Sequence, residues 1–192
     1  LRDDLTEQET LSDLLLDPDT PGVDVALLEV NGNLVHDEAD AAELCVGAAR
    51  LTVNIHFVQS KTSTGVSSAE ILNMGDVIQR TLAGDPPAES PKLAGLARAL
   101  KYMFDAHAGK MQNPRPAVHL HFATAANAVS VADETVQKRR AKVETDLSQL
   151  SFLGEVSVQV EGSSELVEAS RKKDAANMVD VVLKKSFNLP SM

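Results

Sequence analysis

The chain has 192 residues, of which 43% are hydrophobic and 24% charged, a composition typical of a globular protein with a hydrophobic core. Its one cysteine, Cys45, excludes a disulfide framework and a cysteine-rich zinc module, and it suits a reducing cytoplasm. Six aromatic residues are too few for the stacking platform of a single-strand-binding protein, and no apolar run approaches the roughly 20 residues of a membrane span.

The net charge of −10 is unevenly distributed along the chain. Residues 1–43 hold thirteen acidic side chains and one arginine, whereas residues 44–192 hold fifteen acidic and seventeen basic side chains. The total argues against a generic basic nucleic-acid binder, but the near-neutral remainder weakens that argument. Because the sequence begins with Leu1 and ends soon after a strand-like run, we expect a fragment of a longer protein.

The first third of the chain predicts a helix, a hairpin and a long strand. Thr6 and Glu9 match a capping box, which predicts the start of a helix, and the Pro and Gly residues of 17–22 are expected to end it. Asn31-Gly32 predicts a tight turn between two strands. The predicted elements that follow are strands at 23–30 and 33–36, a short helix or irregular segment at 37–50, and a strand at 51–58 that continues into Gln59–Ser63.

The remaining two thirds alternate between helices and strands, which predicts an α/β fold with a mixed central sheet flanked by helices. We expect a single domain over residues 1–192, with a core at about 1–125 and a C-terminal α/β extension at about 126–192. The predicted elements are a helix from Ser67 or Ser68 to Leu82, helices at 93–107, 133–150 and 165–171, and strands at 117–123, 155–160 and 178–183.

Three polar residues are expected to converge if the hairpin pairs with the third strand. Asp24 lies at the beginning of the first strand, and Gln59 and Lys61 lie two apart, on one face, at the end of the later strand. A carboxylate and an amide oxygen suit a hard divalent ion, and an ammonium group offsets charge at a phosphate. Such an Asp, followed by a Gln-x-Lys pair, forms the skeleton of the PD-(D/E)xK nucleases.

The surrounding residues resemble the N-terminal region of the AIPR (abortive infection phage resistance) family. Pro21-Gly22-Val23-Asp24, Val30-Asn31-Gly32 and the segment 57–63 (FVQSKTS) are similar to that family's GGID turn, NG hairpin and IQxKT strand end, with Pro21 where a glycine is usual. The resemblance implies a PD-(D/E)xK restriction-endonuclease-like core, Mg²⁺ or Mn²⁺ as cofactor, and hydrolysis of phosphodiester bonds in phage defence. It further implies Asp24 and Gln59 as metal ligands and Lys61 as a catalytic residue.

One carboxylate of the nuclease pattern lacks an obvious counterpart. Related nucleases often use a glutamate on a helix before the aspartate, whereas the spacing of Glu7 and Glu9 fits a cap better. Glu70, on the helix after Lys61, is a candidate for a relocated metal ligand. The alternatives are a catalytically inactive nuclease-fold module for interaction or sensing, and a generic α/β domain in which Asp24 and Lys61 lie far apart.

Other polar groups have simpler interpretations. His119 and His121 share one strand face, but with His56 distant in sequence they are interpreted as structural, and Cys45 is expected to be buried. The basic residues of 138–142 and 171–173 are interpreted as solvated helix faces, with contact to nucleic-acid phosphates as the alternative. The expected partner is DNA or RNA, bound through the parent protein, without a membrane. A homodimer remains open.

Overall fold

The computed structural model describes residues 15–18 and 20–176, with side chains as far as Arg171. Its five strands form one mixed sheet in the order β2-β1-β3-β4-β5. The strands are β1 (Val25–Val30), β2 (Asn33–Val35), β3 (Val53–Lys61), β4 (Ala117–Thr124) and β5 (Glu155–Glu161). The helices are α1 (Glu38–Cys45), α2 (Ser68–Leu82), α3 (Pro91–His107), α4 (Ala128–Val131), α5 (Glu134–Ser148) and α6 (Ser163–Ala176), with a 3₁₀ turn at Ala108–Met111. This architecture confirms the prediction of a mixed α/β fold flanked by helices.

The β1–β2 hairpin confirms the prediction made from Asn31-Gly32. Both turn residues have positive φ values, 52° for Asn31 and 85° for Gly32, as a tight hairpin turn requires. Val30 pairs with Asn33 across the turn, and β2 is three residues long. On its other side β1 pairs along its full length with β3.

The connections between strands determine which residues meet at each edge of the sheet. β1 is antiparallel to β3, whereas β3, β4 and β5 run parallel and are joined through helices. The carboxyl ends of the three parallel strands therefore share one edge, and the beginning of β1 lies at that same edge. Asp24, immediately before β1, is in this way brought to the end of β3.

The hydrophobic core takes alternate residues from each strand. Ile55 and Phe57 of β3 and Val118 and Leu120 of β4 are almost fully buried, together with side chains from α1, α2, α3 and α5. The intervening strand positions face the other side of the sheet and do not belong to this core. Among them are His56, His119 and His121, which are half-buried.

Most predicted boundaries agree with the structure to within two residues. Ser67, one of the two predicted caps, accepts a hydrogen bond from the backbone of Glu70 at the start of α2. Two short elements, α4 and the 3₁₀ turn, were not predicted, and α6 is longer than the predicted 165–171. The predicted first helix before Leu15 and the strand at 178–183 lie outside the described residues. Within the described ranges, no helix has both the length and the apolar character to cross a membrane.

Candidate functional site

The four candidate site residues lie at the carboxyl edge of the parallel strands, and we call Asp24, Gln59, Lys61 and Glu70 the strand-end cluster. The Asp24 backbone N–H donates to the carbonyl of Val58 at 2.8 Å, which continues the β1–β3 pairing. The Asp24 Oδ2 atom accepts hydrogen bonds from the Ser60 backbone N–H at 2.5 Å and from Ser60 Oγ at 3.0 Å. Asp24 therefore contacts the residue that lies between Gln59 and Lys61.

Gln59 continues the core-facing alternation of β3. Its side chain is 3% exposed, and its amide oxygen Oε1 is buried without a hydrogen-bond partner among the described residues. A buried acceptor without a partner costs free energy, because it has lost its bonds to water and has gained none in the protein. Gln59 thus holds an amide oxygen, which could serve as a metal ligand, at the end of β3. It lies next to the segment that Asp24 contacts.

Lys61 and Glu70 form an ion pair across the β3–α2 connection. Lys61 Nζ lies 3.2 Å from Glu70 Oε1, and each side chain is about one third exposed. Glu70 is in the first turn of α2, where the helix dipole favours a negative charge. The sequence made Glu70 a candidate metal ligand. In the structure its carboxylate pairs with Lys61.

A second set of contacts fixes the segment that follows Gln59. The buried Thr124 hydroxyl at the end of β4 donates to the carbonyl of Ser63 at 3.0 Å and accepts from the backbone N–H of Ala126 at 3.2 Å. The backbone N–H of Ala125 donates to the carbonyl of Lys61 at 3.1 Å. Sequence reasoning missed Thr124, because only the β3–β4 register places it opposite Lys61.

The strand-end cluster offers oxygen atoms of the type that hard divalent cations prefer. Asp24 supplies a carboxylate whose described hydrogen bonds both end on one oxygen, and Gln59 supplies an amide oxygen that has no partner among the residues the structure describes. Across the described part of the chain, however, no group of three His, Cys, Asp or Glu side chains is arranged to hold a metal ion. Any ion bound by Asp24 and Gln59 would therefore keep water in its remaining coordination positions.

Three histidines meet on the other side of the sheet, and we call His56, His119 and His121 the histidine face. The parallel register places His56 directly beside His119, with ring centroids 4.8 Å apart, and the ring of His121 lies 6.5 Å from that of His56. Sequence separation had suggested that His56 was unrelated to the other two, and this part of the interpretation is wrong. The available signal was one histidine at a polar position of the alternating strand β3 and two histidines at alternate positions of β4.

The three imidazoles differ in their surroundings. His119 Nδ1 lies 2.9 Å from Ser157 Oγ, and His121 Nδ1 lies 3.5 Å from Glu161 Oε2. His56 Nδ1 is buried without a partner among the described residues. The pKa of His56 is lowered to about 4, first by burial and then by the neighbouring His119 and His121, whereas Glu29 acts in the opposite direction.

The basic segment of α5 is largely neutralised by its own helix. Lys138 pairs with Glu134, Arg140 with Glu144, and Lys142 with Asp146, each pair spaced one helical turn apart. Arg140 also donates to the carbonyl of Val158 at 3.0 Å, which ties α5 to β5. These contacts favour the interpretation of residues 138–142 as a solvated helix face.

Cys45 is fully buried at the end of α1, as predicted. Burial raises the pKa of its thiol, and the nearby Lys110 ammonium opposes that effect only in part. A buried thiol held in its neutral form is a poor nucleophile, so Cys45 belongs to the core rather than to a site.

Comparison of the chain with known protein families, with curated proteins and with solved structures found no match.

Proposed function

We propose that the chain is a divalent-metal-dependent nuclease domain of a phage-defence protein, with a PD-(D/E)xK restriction-endonuclease-like core of the AIPR type. The proposal rests on the resemblance of the segments around Asp24, Asn31 and Gln59 to that family. The observation that carries it furthest is the contact between Asp24 and Ser60, since it joins the two halves of the motif at one edge of the sheet. Residues 36 positions apart in sequence thereby become neighbours.

In this proposal the chain's own residues divide the work of phosphodiester hydrolysis. Asp24 and Gln59 would hold Mg²⁺ or Mn²⁺ through oxygen atoms, and the ion, when bound, supplies Lewis acidity and an activated water. The Lys61 ammonium lies at the same edge, where it would attract the scissile phosphate and offset the charge that develops there. Ser60 orients the Asp24 carboxylate through two hydrogen bonds to one of its oxygens.

A catalytically inactive module for interaction or sensing is the second candidate. The observation that favours it is that both carboxylates of the strand-end cluster already have partners. Asp24 accepts hydrogen bonds from Ser60, and Glu70 forms an ion pair with Lys61. Gln59 adds no charge, so the cluster offers a cation less attraction than two unpaired carboxylates would. Under this alternative the cluster stabilises the β1–β3–α2 junction and performs no chemistry.

The experiment is a cleavage assay on the full-length protein with Mg²⁺ and with DNA and RNA substrates. We expect the wild type to cleave one of them and Lys61→Ala to abolish cleavage, since the phosphate loses its cation. Lys101→Ala is the matched control, because Lys101 is another ion-paired lysine, bound to Asp105 on the exposed side of α3. Undiminished cleavage by a folded Lys61→Ala variant would contradict the nuclease assignment, and absence of cleavage by the wild type would favour the inactive module.

A further inference from the structure

We propose that the histidine face chelates one divalent transition-metal ion, of the Zn²⁺, Ni²⁺ or Cu²⁺ class, through His56 and His119, with His121 beside them. The site is separate from the strand-end cluster, because His56 and Gln59 occupy opposite faces of β3. It also differs in chemistry, since imidazole nitrogens prefer these metals, whereas the oxygen atoms of Asp24 and Gln59 suit Mg²⁺.

The backbone places the two proposed ligands next to each other. His56 and His119 are partners in the β3–β4 register, and their ring centroids are 4.8 Å apart at an interplanar angle of 27°. Ligand bonds of about 2.0–2.1 Å bring two imidazole nitrogens to within a few ångströms of one another, so the rings need to turn but the strands do not. Both side chains are half-buried, which leaves the pair open to an ion from solvent.

The neighbouring strand supplies polar partners of the kind that orient metal-binding histidines in proteins. Ser157 Oγ lies 2.9 Å from His119 Nδ1, and Glu161 Oε2 lies 3.5 Å from His121 Nδ1. When Nδ1 is held in this way, Nε2 is the nitrogen left to bind a metal. Glu161 and Ser157 lie on the same face of β5, so both histidines of β4 are supported from one side.

His56 has the freedom that such a site needs. Its Nδ1 is buried and makes no hydrogen bond within the described residues, so no bond has to break when the ring turns. The described residues hold no three-ligand metal group, and the proposal accordingly commits to a chelate of two imidazoles, with water completing the coordination. Binding an ion would give the unpartnered imidazole a ligand and would relieve the cost of its burial.

The experiment is a calorimetric titration of the untagged protein with Zn²⁺. We expect one site in the wild type, a loss of affinity of at least about tenfold in His119→Gln, and a smaller loss in Ser157→Ala, which removes only the orienting hydroxyl. His36→Gln is the matched control, since His36 lies outside the face at the end of β2. It should bind as the wild type does.

Two further results decide the proposal. Asp24→Asn should leave Zn²⁺ binding unchanged, so failure of the nuclease proposal and failure of this one are distinguishable. Absence of Zn²⁺ binding by the wild type at millimolar concentration, or equal affinity in the wild type and a folded His119→Gln variant, would overturn the histidine site.

Discussion

The strand-end cluster and the histidine face are built on the same strand, and they differ in how their residues come together. Gln59 and Lys61 occupy the core-facing positions of β3, and the intervening position of His56 faces the other side of the sheet. In the strand-end cluster, Gln59 and Lys61 lie close together in sequence, and the β1–β2 hairpin brings Asp24 to them. The histidine face joins two strands that are separated by two helices. A contiguous motif is visible in the sequence, whereas a cluster across parallel strands requires their register.

Both regions contain a buried polar atom that has no partner in the described part of the chain, but in different settings. Gln59 Oε1 belongs to a core-facing side chain at the end of β3, whereas His56 Nδ1 belongs to an imidazole that stacks with those of His119 and His121. Each such atom costs stability, because its hydration is lost without compensation. In the strand-end cluster, the atom that costs stability is the proposed oxygen ligand of Gln59. In the histidine face, burial of His56 also makes folding stability sensitive to acid.

The largest expected difference between the two faces concerns packing. Phe57 is fully buried in the core, and Phe57→Ala should lower the free energy of unfolding by about 3–5 kcal/mol, because it removes a large side chain and leaves a cavity. Val58→Ala, at the adjacent half-buried position on the side of the sheet that carries the histidines, should cost about 1 kcal/mol or less. Urea denaturation of the two variants measures this contrast. Equal losses would show that both faces are packed alike.

The next prediction concerns the unpartnered oxygen of Gln59. Gln59→Leu keeps a similar volume and removes the buried acceptor, so it should raise the free energy of unfolding by about 1 kcal/mol. The same variant should bind Mn²⁺ more weakly, because an oxygen ligand is lost. Gln79→Leu, on the exposed side of α2, is the control that separates burial from a general effect of leucine. A destabilised Gln59→Leu protein would show that this amide has a stabilising partner.

A comparably small effect concerns the pH dependence of the histidine face. The pKa of His56 is about 4 in the folded protein and 6.5 when unperturbed, so the unfolded chain binds the proton first as the pH falls. Folding stability should be complete above pH 6.5 and decrease between pH 6.5 and 4. We expect a loss of about 1 kcal/mol after allowing for solvent screening at this half-buried group.

This pH effect is measured by thermal denaturation in the presence of a metal chelator. His56→Gln should remove that part of the decrease in stability between pH 6.5 and 4, whereas His36→Gln should retain it. An identical decrease in the wild type and in His56→Gln would contradict the assignment of the acid sensitivity to His56.

Local signals made most of the fold predictable. The left-handed turn at Asn31-Gly32, the Ser67 cap and the apolar alternation of β3 each fix one element with few competing conformations. The four-residue helix α4 was missed because so short a segment has no amphipathic period, and its Asn127 cap is equally compatible with a turn.

The candidate site was predictable only in part. The spacing of Gln59 and Lys61 predicted a shared face, and the hairpin predicted that Asp24 would reach them. The Lys61–Glu70 contact depends on the path of the loop before α2, which the sequence does not specify. The contact between His56 and His119 depends on the register of two parallel strands, and only their assembled pairing determines it.

The central claim is that Asp24 and Gln59 hold a divalent cation at the carboxyl edge of the sheet, and Mn²⁺ binding tests it most directly. Electron paramagnetic resonance should detect one Mn²⁺ bound to the wild type and displaced by Mg²⁺. Affinity should fall at least about tenfold in Asp24→Asn and remain unchanged in Asp105→Asn, an exposed aspartate that is paired with a lysine on α3. Absence of bound Mn²⁺ at millimolar concentration, or equal affinity in the wild type and Asp24→Asn, would contradict the account.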